Sequence, residues 1–163
     1  MATIVIVPGA WHGSWRWKEV RAALQAAGHA VYALTLTGLG ERRHLATPDV
    51  GLDTHIQDVV NVLAYEDLRD VVLVGHSYGG MVITGVADRA PGRLTRLIYL
   101  DALLPHDGEC VYDLFPPEVR ASWEAQARRD GAGWRTPRGP APTAARCRCP
   151  SRPASSRCAG RSP

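Results

Sequence analysis

Residues 71–80, Val-Val-Leu-Val-Gly-His-Ser-Tyr-Gly-Gly, restrict the possible folds of this chain more than any other stretch. Four consecutive apolar residues, three of them valine, predict a buried parallel strand. They run directly into Gly75-His76-Ser77-Tyr78-Gly79, which fits the G-x-S-x-G pattern of a nucleophile elbow. In that device a serine occupies a sharp strand-to-helix turn with a strained backbone. Glycines flank it because a Cβ at either position would collide with the neighbouring strand or helix. The turn lifts the hydroxyl out of the sheet and aims the next helix's N-terminus at the reaction centre. Serine between glycines is common in loops, so the pentapeptide alone says little. The apolar strand before it and the helix-forming stretch 81–87 after it make Ser77 a candidate nucleophile.

A second loop supports that reading. Residues 3–7, Thr-Ile-Val-Ile-Val, form another short apolar strand, followed by Pro8-Gly9-Ala10-Trp11-His12-Gly13. An acyl-transfer serine needs two preorganised N–H donors for its oxyanion, one from the residue after the nucleophile and one from a Gly-rich loop. Tyr78 and Ala10 are the candidates. The plainer alternative is that Pro8-Gly9 simply makes a turn.

Taken in order and spacing, residues 7–17, 28–32, 36–40, 74–81 and 98–105 carry a resemblance to the α/β-hydrolase superfamily. The resembling branch is the small one that holds plant methyl-ester esterases, hydroxynitrile lyases and related bacterial esterases. The likeness covers about residues 3–130 and implies ester hydrolysis through an acyl-serine. It also implies a helical cap, beginning after the fourth strand, that roofs the substrate pocket.

The periodicities give an α/β class independently. Trp17, Val20, Leu24 and Ala27 recur at helical spacing and Gly28 is a natural stop. Residues 30–36 alternate as a second strand. Asp53 and Thr54 can cap a helix whose apolar face is Ile56, Val59, Val60 and Leu63. After strand 71–75 and the elbow helix comes a fourth strand, 97–100. Strands alternating with helices of this length predict right-handed crossovers and a parallel sheet of about four strands, covered on both faces. This is an incomplete α/β-hydrolase fold. Such sheets place their chemistry at the carboxyl ends of the strands, where residues 8–13, 38–40, Ser77 and Asp101 fall. A helix opening at Pro116-Pro117, with Val119, Trp123 and Ala127 on one face, would begin the cap. Leu104, Val111, Leu114, Phe115 and Trp123 would be its apolar contributors, or simply a stripe packed on the sheet.

A serine hydroxyl is a poor nucleophile until a histidine takes its proton and a carboxylate orients that histidine. The expected chain order is serine, acid, histidine. The six histidines are His12, His29, His44, His55, His76 and His106, and none follows residue 106. The resemblance puts the catalytic histidine far downstream, so no triad histidine is identified. His29, His44 and His55 read as structural or solvated, His76 as facing away, and His106 could reach the site only by an unusual loop path. Asp101 is a possible acid, although in the resembling branch the acid comes later, which favours a structural role.

From Trp134 to Pro163 the composition changes. Seven Arg, six Pro, five Ala, four Ser and three Cys occur there, with no Asp, Glu, Lys, Leu, Ile, Val, Met or Phe. Such a segment has too few apolar side chains to offset its chain entropy and is expected to be disordered. Its composition is what GC-rich codons give in a shifted frame, with the switch near residues 133–140. The alternative is a genuine shorter protein with an arginine-rich binding tail. The whole chain carries +3, whereas without this tail 12 basic face 16 acidic residues. The basicity belongs to the tail, and neither a nucleic-acid nor a membrane partner follows from it.

The expected organisation is a hydrolase portion at 1–133, with a cap segment at about 106–130, and a tail at 134–163. No leader peptide or membrane span is expected. Cys110 is the only cysteine before the tail, which fits a reducing cytoplasm. Cys147, Cys149 and Cys158 match metal spacing only loosely, and Gly38-Leu-Gly40 lacks a phosphate-loop signature, so no metal or cofactor is expected. Three functions stay open: a carboxylesterase acting on small esters, a hydroxynitrile lyase, and a non-catalytic binding protein or fragment. The oligomeric state is not legible.

Overall fold

The computed structural model describes residues 1–135; residues 136–163, with most of the Arg/Pro-rich stretch, lie outside them. Four strands form one parallel sheet: β1 (Thr3–Val7), β2 (Ala30–Ala33), β3 (Val71–Ser77) and β4 (Leu94–Ala102), in the order β2-β1-β3-β4. The helices α1 (Lys18–Ala26), α2 (Leu52–Tyr65) and α3 (Gly79–Arg89) lie between consecutive strands. After β4 come a 3-10 turn, Val111–Leu114, and α4 (Pro117–Asp130).

The β-branched residues of β1 and β3 give each strand two apolar faces. On one face the register sets Val5 beside Leu73 and Leu73 beside Leu97. Ile56, Val59 and Leu63 of α2 and Met81, Val82, Ile83 and Val86 of α3 close over this face, and all seven are buried. The opposite face carries the row Ile6, Val74, Ile98. Its cover fades across the sheet: Ile6 is 2% exposed, Ile98 39% and Leu100 46%. On that side α1 packs beside β2 but buries none of its own residues.

Several boundaries differ from the sequence reading. β2 stops at Ala33 instead of residue 36, because Leu34 N–H makes the last ladder bond, to Ile6 O at 3.0 Å. The Thr35 hydroxyl then accepts the Ser14 N–H at 2.7 Å. β3 runs on to Ser77, and β4 occupies 94–102 instead of 97–100 because β3 offers partners along its length. The α2 cap is Gly51, whose N–H donates to Thr54 Oγ1 at 3.5 Å, so Asp53 and Thr54 fall inside the first turn. Asp53 instead pairs with Arg89 at the end of α3.

In the segment expected to start a cap, Val111 and Leu114 pack against the core. Trp123 stacks edge-on against Phe115 with centroids 4.8 Å apart, and Ala127 is buried. Leu104, grouped with them from sequence, is 61% exposed.

Candidate active site

Ser77 ends β3, and its φ of +51° places a non-glycine residue in the left-handed region. That conformation costs on the order of 1 kcal/mol or more and persists where the surroundings enforce it. Here they do. Ser77 O accepts the Leu103 N–H at 3.0 Å, and α3 begins two residues later. The flanking glycines are needed for packing. A Cβ on Gly75 would lie 2.6 Å from Gly79 O, and one on Gly79 would lie 2.5 Å from Val7 O. The turn is thereby clamped against the carboxyl end of β1.

The loop after β1 reaches the same place. A Cβ on Gly9 would lie 3.0 Å from both Ser77 Cβ and His76 Nδ1, so the bare Gly9 backbone faces the serine. Ala10 and Tyr78, the two candidate oxyanion donors, are 5% and 7% exposed. Residues 9–12 form a tight turn, with His12 N–H donating to Gly9 O at 3.3 Å and Trp11 at φ +68°. The strain at Trp11 had no counterpart in the sequence reading. A side chain at φ > 0 leaves no compositional trace when the residue is not glycine.

Asp101 lies beside the turn. The register pairs His76 with Leu100 and Ser77 with Ala102, so Asp101 is the extra residue of a bulge, exposed, at φ +44°. His76 turns to the less covered face, its ring edge-on to Trp17 at 5.5 Å. His12 packs edge-on against Trp15 at 6.1 Å. His29 Nδ1 accepts the Ala2 N–H at 3.2 Å, while His44 and His106 are exposed. Among the described residues no histidine ring hydrogen-bonds the Ser77 hydroxyl.

His55 takes the structural of the two roles expected of it. Read from sequence as structural or solvated at a helix start, it is 0% exposed. Its Nδ1 is 2.8 Å from Tyr78 Oη, and its Nε2 is 2.9 Å from Thr37 O. Thr37 is held in turn by Asp58, which accepts its N–H at 2.6 Å and its hydroxyl at 2.9 Å. Burial pushes the His55 pKa below the ordinary histidine value. The Thr37 carbonyl and the Asp58 carboxylate oppose that shift, and the Arg42 charge adds to it. The available signal was spacing: His55 lies four residues before Val59, on the apolar stripe of α2.

A family model described as the alpha/beta hydrolase family matches residues 4–161. A carbendazim hydrolyzing esterase from Nocardioides sp. (strain SG-4G) is 51% identical over 127 residues, covering 76% of this chain and 52% of that protein. An alpha-hydroxynitrile lyase of Arabidopsis thaliana is 35% identical over 104 residues, covering 62% and 40%. Among solved structures, an extracellular alpha/beta-hydrolase from a Paenibacillus species superposes with a TM-score of 0.76 at 32% identity, covering 83% of this chain and 54% of that one. That structure is described as sharing structural and functional homology with tobacco salicylic acid binding protein 2. The chain spans about half the length of the curated relatives it matches.

Proposed function

The chain belongs to the alpha/beta hydrolase family, and from that premise we propose that it is the Ser77-bearing portion of a carboxylesterase for small esters. In this reading Ser77 Oγ attacks the ester carbonyl carbon, and the developing oxyanion takes hydrogen bonds from the Ala10 and Tyr78 N–H groups. The carbon–oxygen bond to the alcohol then breaks, the alcohol leaves with a proton, and water hydrolyses the acyl-serine. One observation carries the proposal: Ser77 sits at φ +51° in a strand-to-helix turn, with Gly9 of the loop after β1 packed against its Cβ.

Among the described residues no histidine ring is hydrogen-bonded to the Ser77 hydroxyl to take its proton. Loss of a triad base lowers turnover by roughly a millionfold and leaves only weak oxyanion-hole catalysis. The chain as written is therefore expected to be a very slow esterase. Asp101, exposed at the β4 bulge, is a candidate acid. We assign residues 1–133 to the hydrolase portion, with 106–130 as the start of its cap. The cytoplasm is the proposed location, on the grounds that Cys110 is the only cysteine before residue 134.

A fluorophosphonate probe tests the assignment. The expected outcome is a slow phosphonyl adduct on Ser77, seen by peptide mass spectrometry and absent from Ser77→Ala. Absence of any adduct after prolonged incubation at alkaline pH would favour the non-catalytic reading. The lyase reading is weaker, since cyanohydrin chemistry calls for extra polar groups beside the oxyanion loop and Gly9 offers no side chain there.

A further inference from the structure

Resting on the acyl-serine reading above, we infer that His55 is a positioning residue: through Tyr78 it fixes the turn that carries Ser77 and one of its two oxyanion donors. A backbone carbonyl can only accept, so the contact to Thr37 O assigns the His55 proton to Nε2. Nδ1 of the neutral ring is then an acceptor, and Tyr78 Oη donates to it. The two rings also meet edge-on, with centroids 5.6 Å apart at 82°. Tyr78 is the residue whose N–H faces the developing charge, so its side chain and its amide are two ends of one rigid group.

The grip extends to the neighbouring loop. Asp58 lies three residues beyond His55 and holds Thr37 by both its N–H and its hydroxyl. Residues 38–40 follow Thr37, and a Cβ on Gly40 would lie 2.9 Å from Gly13 N in the loop after β1. One turn of α2 thus ties the serine turn to the loop packed on the oxyanion segment, along Asp58–Thr37–His55–Tyr78. Burying such a polar chain adds little net stability compared with apolar residues of the same shape. What it supplies is geometry: the two ring nitrogens of His55 are held in opposite directions, one by Tyr78 Oη and one by Thr37 O.

Tyr78→Phe in the full chain is the test, because it deletes only the hydroxyl. Amide hydrogen exchange, read by NMR, should accelerate more than tenfold at residues 77–80 relative to Val5 and Leu73 in the core strands. Exchange that rises equally in turn and core, or in neither, overturns the proposal and leaves His55 a packing residue. In parallel, the fluorophosphonate rate at Ser77 is measured at about pH 9, where hydroxide stands in for a base. Removing a whole oxyanion donor costs about 100–1000-fold, so loosening one is expected to slow the adduct about tenfold. Equal rates for wild type and variant also overturn the proposal. A wild type that forms no adduct counts against the acyl-serine reading instead, and the exchange measurement then decides the role of His55.

Discussion

At residue 79 the space is already full. Gly79→Ala would set a methyl group 2.5 Å from Val7 O, and the contact is with backbone of a central strand, which cannot swing aside. Overpacking of this kind costs about 1–3 kcal/mol. The expected outcome is a lower thermal midpoint together with loss of the Ser77 adduct. His55 makes a different prediction, in pH. Its folded pKa lies below the ordinary value of about 6.5, so under acid the unfolded chain binds a proton that the folded chain excludes. Stability is then complete above about pH 6.5 and declines as pH falls below it. Asp58 and Arg42, the charged groups facing the ring, act in opposite senses and leave burial dominant. Melting His55→Gln alongside wild type from pH 7.5 to 5 checks this: the variant should show the smaller loss, and parallel curves would refute it. His55 itself was half legible from sequence. Its spacing before Val59 is visible in the sequence, but a polar residue on an apolar stripe gives no hint of which distant hydroxyl satisfies it.

At the scale of elements, apolar periodicity identified all four strands and the helices between them. It misjudged the ends, because ends are set by partners. β2 stops where Thr35 turns to Ser14, and β4 extends along β3, and neither event is local. The strand-to-helix turn at Ser77 was readable because the residues that make it are consecutive. The proximity of Gly9 to Ser77 was readable only through the topology that makes β1 and β3 neighbours. The α2–α3 seam carries the main core, with Leu63 wholly buried in it. Leu63→Ala is expected to lower the unfolding free energy by about 2–5 kcal/mol, measured by urea titration with an unchanged m-value. A loss under 1 kcal/mol would mean that the seam is far looser than described.

For the molecule as a whole, the two sheet faces are unequal. Ile98 and Leu100 of β4 present apolar surface on the less covered side, and among the described residues β4 pairs along one edge alone, with β3. Flat apolar strands of that kind template association. The double variant Ile98→Thr and Leu100→Thr keeps β propensity and should raise soluble yield and suppress light scattering. If it lowers yield instead, those side chains are packed in solution. The all-parallel register has a further consequence, for the time course of folding. Thr3 pairs with both Ala30 and Val71, so β1 cannot gain its second neighbour until residues 71–75 have been synthesised. Until then its valines and isoleucines are open to chaperones. Nascent chains halted before residue 71 should remain protease-sensitive, and those halted well beyond residue 102 should not.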